Sequence, residues 1–408
     1  MTRTTCSGAP SGRRRALALA AISAMLMGGC SMEPEAAPEP EPFVFRSLDL
    51  RQNDEEGRPA WDLRSPEARY EIDERRAEAR DPEGTLYNDG RPSFRISAQR
   101  GTVINDGETV ILNGDVRIRM LGDEPLLILA PEVIWEPGEE RMRIERDPVA
   151  IDGQSRLRAT RARFQVDEQM LQLIGEARLE HWPDREESAP PIDADTGDAV
   201  IDIRTGEVRW NLESGALTAK GPVNGERRRE EETEPQTLVA SALSGNSREG
   251  YIDLMAPVRV EDPAEEAWMD GGQARWRFTE RELTSPNSFR SQIGAISIQG
   301  RGYRIEESKT LVIVESDCDL SQPGERLRAE RCRWDWEKNR LLAEGAVELR
   351  RDANDQVTRA QRLEGRMGDD GRATFSTPGG RVLSELTVTE GEEPGGRDQP
   401  RSAPPVDF

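Results

Sequence analysis

Few residues in this 408-residue chain have the type and spacing to do chemistry. One histidine, His181, stands in "EHWPD". As a catalytic base it would need a nucleophile on a sharp turn and an acid to orient it, and no such turn is found, so it reads as a solvated strand-end residue. The acidic pairs Asp193 with Asp195 and Asp317 with Asp319 could offer oxygen ligands to calcium, but neither belongs to a twelve-residue ligand loop. With 78 acidic residues in the chain, such pairs are expected anyway. There is no CxxC pair and no cluster of cysteine with histidine, so transition metals have little support. The glycine stretches "GDDGR" and "STPGGR" lack the strand-to-helix setting that holds phosphate and read as turns. No cofactor, no metal and no enzymatic activity are expected.

One cysteine has a different kind of chemistry in reach. Arg13, Arg14 and Arg15 precede the apolar run "ALALAAISAMLMGG" and then Cys30. That is the order of a charged region, a hydrophobic region and a small-residue cleavage site. The run is short for a membrane span. The "LMGGC" ending resembles the lipobox of bacterial lipoproteins, with Met27 in place of the more usual leucine. Residues 1–29 are therefore expected to be a lipoprotein signal and Cys30 the lipid-bearing residue, with an ordinary cleaved signal or an uncleaved anchor as alternatives. The segment 30–42, rich in Pro, Glu and Ala, is too poor in apolar residues to fold and reads as a tether.

Removing residues 1–29 takes away four arginines and no acid, so the formal net charge moves from −22 to −26. Nucleic acid is an improbable partner for such a chain. Only Lys220, Lys309 and Lys338 are lysines. The scattered arginines are expected mainly as solvated cross-strand partners of Asp and Glu. Only 35% of residues are hydrophobic against 33% charged, which suits an extended stack with a wet outer face better than a large compact core.

That stack is legible in "ISAQRGTVINDGETVILNGDVRI", residues 96–118. Small or apolar residues at Ile96, Ala98, Gly101, Val103, Val110, Leu112, Gly114, Val116 and Ile118 alternate around an Asn-Asp-Gly turn, which predicts a β-hairpin buried on one side. The frame returns without gaps at Leu157, Ala159, Ala162, Phe164, Val166, Leu171, Leu173, Gly175, Ala177 and Leu179. It returns again at Leu327, Ala329, Cys332, Trp334, Trp336, Leu341, Ala343, Gly345, Val347 and Leu349. Weaker copies lie between, at a spacing of about 30 residues, in the range of stacked supersecondary units. One column of the frame holds Val103, Phe164, Trp210, Gly245, Trp276, Tyr303 and Trp334, either a packed core or the wall of a partly open lumen. Cys332 lies on the inward parity and Cys318 on the outward one, so a disulfide between them needs the chain to bulge.

The opening of the predicted folded part, "FRSLDLRQNDEEGRPAWDLRSPEARY" followed by "YNDGRPSFRISAQRGTVINDGETVILNGDVRI", resembles LptC, the membrane-tethered periplasmic component of the lipopolysaccharide export machine. The matching residues are Leu48, Leu50, Gln52, Gly57, Trp61, Leu63, Ala68, Tyr70, the Asp89-Gly90 turn and the hairpin from Ala98 to Gly114. The repeats resemble the OstA type of the periplasmic bridge proteins.

The resemblance implies an all-β fold: an elongated, twisted β-jellyroll or β-taco, whose apolar groove carries lipid tails. It implies as partners lipopolysaccharide or a related glycolipid, an inner-membrane ABC transporter of the LptB, LptF and LptG kind, and an LptA-like jellyroll joined edge to edge. It places the protein in the periplasm, anchored to the inner membrane. The expected layout is an LptC-like jellyroll at 43–182, a linker at 183–197, a second OstA-like array at 198–389 and a disordered tail at 390–408. The groove residues expected are Ile96, Ala98, Val103, Val116, Ile118, Leu157, Phe164, Leu173, Trp210, Trp276, Trp334 and Trp336. The competing readings are an envelope solenoid with a filled core and, least favoured, an enzyme acting on envelope glycan.

Overall fold

Alternation with a period of two puts each apolar residue on the same side of an extended chain, and such runs hold their shape only when paired. In the computed structural model nearly every run is a strand. The structure describes residues 43–122, 126–183, 185, 191–229, 233–352, 355–366 and 373–385. The expected signal, Cys30, the tether at 30–42 and the tail from 390 lie outside these residues. The described strands form one antiparallel sheet. Among the described residues the helical elements are four short 3-10 turns, one of them at the Asn105–Gly107 turn.

Two rows of directly opposed residues cross the sheet. One runs Leu50, Leu63, Gly84, Ile96, Ile118, Ile128, Ala150, Leu157, Leu179, Ile203, Gly225, Leu238, Val260, Met269, Ser291, Ile298, Leu320, Leu327, Leu349. The other runs Tyr70, Ala77, Val103, Val110, Trp135, Met142, Phe164, Leu171, Trp210, Leu217, Gly245, Ile252, Trp276, Leu283, Ile305, Val312, Trp334, Leu341. The second row is the ring column of the sequence, with one correction. Ile305, not Tyr303, occupies it, because the strand Ile296–Glu306 carries its own register shifts.

The rows belong to two faces of one folded sheet, and long strands such as Thr109–Met120, Met170–His181 and Arg340–Arg351 pass through both. Each bends at a bulge. The repeat-frame glycines mark those bends: Gly114 (φ +78°) precedes Asp115 (+46°), Gly175 (+79°) precedes Glu176 (+48°), and Gly345 (+77°) precedes Ala346 (+46°), beside register shifts in the neighbouring ladders. The backbone N–H groups of Gln99, Thr160 and Glu330 donate to the three glycine carbonyls at 2.9, 2.9 and 2.8 Å. A left-handed backbone costs a glycine little and an ordinary residue more, so the recurring glycine is the corner of the jellyroll.

The buried core falls into three clusters, Trp61 to Leu212, Ala219 to Val258, and Ala274 to Leu363. Val208 and Leu217 pack against both the first and the second. Segment 183–197 falls between strands that pair with each other, Met170–His181 with Ile201–Asn211. Trp210 and Leu212 beyond it complete the first core.

Candidate functional site

The two inner rows face each other across a lumen. In the amino-terminal part that lumen is filled. Trp61 meets Trp135 edge-on with ring centres 5.0 Å apart, and Phe94 meets Phe164 at 5.1 Å, in each case one ring from each face. Of the expected groove residues, Ile96, Ala98, Val103, Val116, Ile118, Phe164, Leu173 and Trp210 are buried in this core, and Leu157 packs against it half-buried. Trp61, Phe94 and Trp135 were not among the expected residues, although each lies on the inward parity of its strand.

The carboxy-terminal part is looser. Trp276, Trp334 and Trp336 are half-buried, and so are Leu283, Ile293, Ile296, Ile305, Leu320 and Leu341, which pack against the third core. Ile293, Ile296, Val312, Val314, Leu320, Cys332, Trp334 and Leu341 help to line an all-apolar hollow of about 20 Å³. That is water-sized and dry in character, well below the roughly 300 Å³ at which ligand pockets begin. Phe289 and Tyr303 close the lumen beside it, ring centres 5.1 Å apart. Hydrocarbon therefore enters only if the faces part.

The outer side carries a feature that sequence reasoning missed. Arg156, opposite in parity to inward Leu157, is only 4% exposed, with Glu180 at 0% and Asp202 at 2%. Its Nε donates to Glu180 at 2.9 Å. Its terminal nitrogens donate to the carbonyls of Pro191, Ile192 and Ala194 at 3.2, 3.2 and 2.9 Å and to the Thr196 hydroxyl at 3.2 Å. Trp182 stacks over the guanidinium at 4.9 Å. Arg158 holds Glu180, Arg178 and Arg204 hold Asp202, and Arg228 reaches the carbonyl of Gly197. The described part of 183–197 is thus a strap bound to the outer face through its own carbonyls. Burial pushes the Glu180 carboxyl up, but hydrogen bonds, from Arg156 first, outweigh it and hold it below the usual range. Asp202 is held low in the same way by Arg178 and Arg204. The only sequence signal was three arginines on neighbouring strands, at 156, 158 and 178, facing two acids.

The other candidates have structural partners. His181 Nδ1 lies 3.0 Å from the Ser155 hydroxyl, and burial pushes its pKa down. Asp195 accepts from the Gly197 N–H, and Asp319 is held by Arg326 and Arg328. No group of three or more potential ligands for a metal occurs among the described residues. Cys318 and Cys332 are joined, with Cα atoms 6.0 Å apart. The parity conflict is resolved by a bulge: Asp317 is left-handed at φ +54°, Val314 opposes Cys332 before it, and Cys318 opposes Ala329 after it.

The family described as LptC, "Lipopolysaccharide-assembly, LptC-related", matches residues 16–181. The stretch so matched, less than half of the chain, is the LptC-related part. The match ends with the strand Met170–His181, where the strap begins. No curated protein matches the chain. Among solved structures it is similar to LptH of Pseudomonas aeruginosa, the LptA-homologous periplasmic component of a lipopolysaccharide transport device. The identity is 12% and the TM-score 0.24, covering 27% of this chain and 79% of that one. The LptC-related part holds the closed core. The stack beyond it holds the loose one.

Proposed function

We propose that the protein is a periplasmic, non-enzymatic component of lipopolysaccharide export, tethered to the inner membrane. It would receive glycolipid from an ABC transporter and pass it to an LptA-like jellyroll, with acyl chains between the two faces and sugars outside. The observation that carries this reading is the apolar inner row, which continues from the LptC-related part into the strands beyond it. Burying a chain of about ten methylenes is worth about 8 kcal/mol at roughly 0.8 kcal/mol each. The specific attraction of an aromatic pair such as Phe94–Phe164 is about 1 kcal/mol, and acyl contacts replace the area it buried. A lipid can therefore afford to part the faces.

The ends of the sheet support a bridge. At one end Phe43, Val44 and Phe45 are exposed on the strand Phe43–Phe45, beside Leu48–Asn53. At the other lie Ala373–Ser376 and Leu383–Glu385. Among the described residues each of these strands has a ladder on one side only, so its other edge can accept a partner's strand.

The closed ring contacts favour a second reading, an envelope solenoid with a permanently filled core. A photo-crosslinking residue at Phe164 or at Trp276 separates the two. Glycolipid trapped at both sites during ATP-driven export supports transport through the lumen. A lipid-free interior at both under active export turns the assignment to the solenoid.

A further inference from the structure

The two faces of the sheet are joined along one side by the glycine corners. Along the other side their strands end freely, and there a charged contact spans the gap. Arg227 closes the strand Val223–Arg227, opposite Ile201 at the free end of the first face. Glu307 follows Glu306, which lies opposite Leu311 at the free end of the second face. Arg227 Nη1 donates to one Glu307 oxygen at 3.0 Å, across 80 residues of sequence. Arg281, in a turn of the second face, donates to the other oxygen at 3.2 and 2.9 Å, and its carbonyl accepts the Glu307 N–H at 3.1 Å.

Behind this contact the lumen is not closed by packing. Leu238, Val260 and Met269 in the first row, and Ile252, Trp276, Leu283 and Ile305 in the second, are all half-buried. In the amino-terminal part Leu63, Ile96, Ile118 and Ile128 of the first row, and Val103, Val110, Trp135 and Met142 of the second, are buried. A half-exposed ion pair shifts an equilibrium only a few-fold, which interlocked rings would not register but a loosely packed seam would. Parting it strands no charge, because Glu307 keeps Arg281 and the Arg227 side chain is already 39% exposed.

We propose that Arg227 and Glu307 form a latch on a lateral opening of the lumen, with Arg281 holding Glu307 in position, and that an acyl chain passes sideways through the seam when the pair parts. The cargo rests on the lipid-carrying reading above; the latch is a property of the seam itself.

The test uses the full chain and N-phenyl-1-naphthylamine, a neutral dye that brightens in apolar surroundings and has no charge to be drawn to arginine. Arg227→Gln and Glu307→Gln are each expected to raise dye uptake roughly three- to five-fold, the size of one half-exposed pair. Arg281→Gln should raise it less, since the bond across the seam survives. Arg227→Glu, Arg281→Glu and Glu307→Arg together, which reverse all three charges, should bring uptake back towards wild type. Raising salt from about 50 mM to about 500 mM should increase uptake by wild type and leave that of Glu307→Gln unchanged. No variant should melt more than about 2 °C below wild type, because so small a term barely moves the midpoint of a large domain. Unchanged uptake in Arg227→Gln, or a charge reversal that stays open, overturns the latch, and so does a rise confined to variants that melt well below wild type. A latch that opens as expected while no glycolipid cross-links at Phe164 or Trp276 overturns the cargo and not the seam, so the two failures are told apart.

Discussion

At the scale of single residues, the polar groups that matter most are on the outside of the sheet and yet buried. Arg156 is shared among Glu180, three strap carbonyls and Thr196, so its removal strands acceptors on two elements at once. Arg156→Met is expected to lower the unfolding free energy by about 3 kcal/mol, read from urea denaturation, and to make 191–197 cleavable by protease under native conditions. An unchanged midpoint would mean that the strap holds without its clamp. His181 sets a separate pH dependence. Burial lowers its folded pKa, so below about pH 6.5 the unfolded chain takes up a proton that the folded chain refuses, and stability falls as pH drops. Glu180 and Asp202 have lowered folded pKa values too, so their share persists until pH falls below about 4. His181→Gln should flatten the slope just below neutrality and leave the more acidic one, checked by denaturation midpoints from pH 7 to 4. The disulfide closes a separation of 14 residues, for which loop entropy predicts about 3 kcal/mol. Cys318→Ala with Cys332→Ala should lose about that amount, while a loss near zero would assign the bulge at Asp317 to the ladder alone.

At the scale of strands, the corner glycines carry the jellyroll. A side chain at Gly345 would have to adopt φ +77° and would collide with Glu330, whereas at Gly175 it would meet Thr160 at 3.1 Å. Gly345→Ala is therefore expected to cost about 1–2 kcal/mol for the backbone plus a packing term, and more than Gly175→Ala. Equal costs measured by thermal melts would show that Glu330 swings clear without penalty. These corners were legible as a recurring glycine, because a left-handed position admits few other residues. Their pairing partners were not, since the N–H groups of Gln99, Thr160 and Glu330 come from bends between other strands.

At the scale of the molecule, the natural cut in the sequence and the cut in the core differ. The Pro-rich, acidic stretch after Trp182 reads as a boundary, but the first core draws on Trp210 and Leu212 beyond it. A fragment ending at 182 exposes the whole edge of Met170–His181, so it should melt below a fragment ending at 229 and tend to associate through that edge. Equal melting temperatures, with both fragments monomeric, would restore the boundary to the strap. Core packing also thins along the stack. The closed Trp61–Trp135 and Phe94–Phe164 contacts belong to the LptC-related part, and the half-buried indoles to the stack beyond it.

By itself the sequence determined the strands, their inward parity and the corner positions, because period-two alternation and left-handed glycines are local properties written residue by residue. It placed most of the ring column correctly and missed at Tyr303, where register shifts in the ladders on both sides of the strand Ile296–Glu306 move the frame. Tertiary structure decided which inward side chains close on one another, that Arg156 is buried beneath a strap, and that Cys318 reaches Cys332. Each of these depends on segments far apart in the chain arriving at one place, and the distance between the two faces is set by their combined packing, which no single strand's pattern contains.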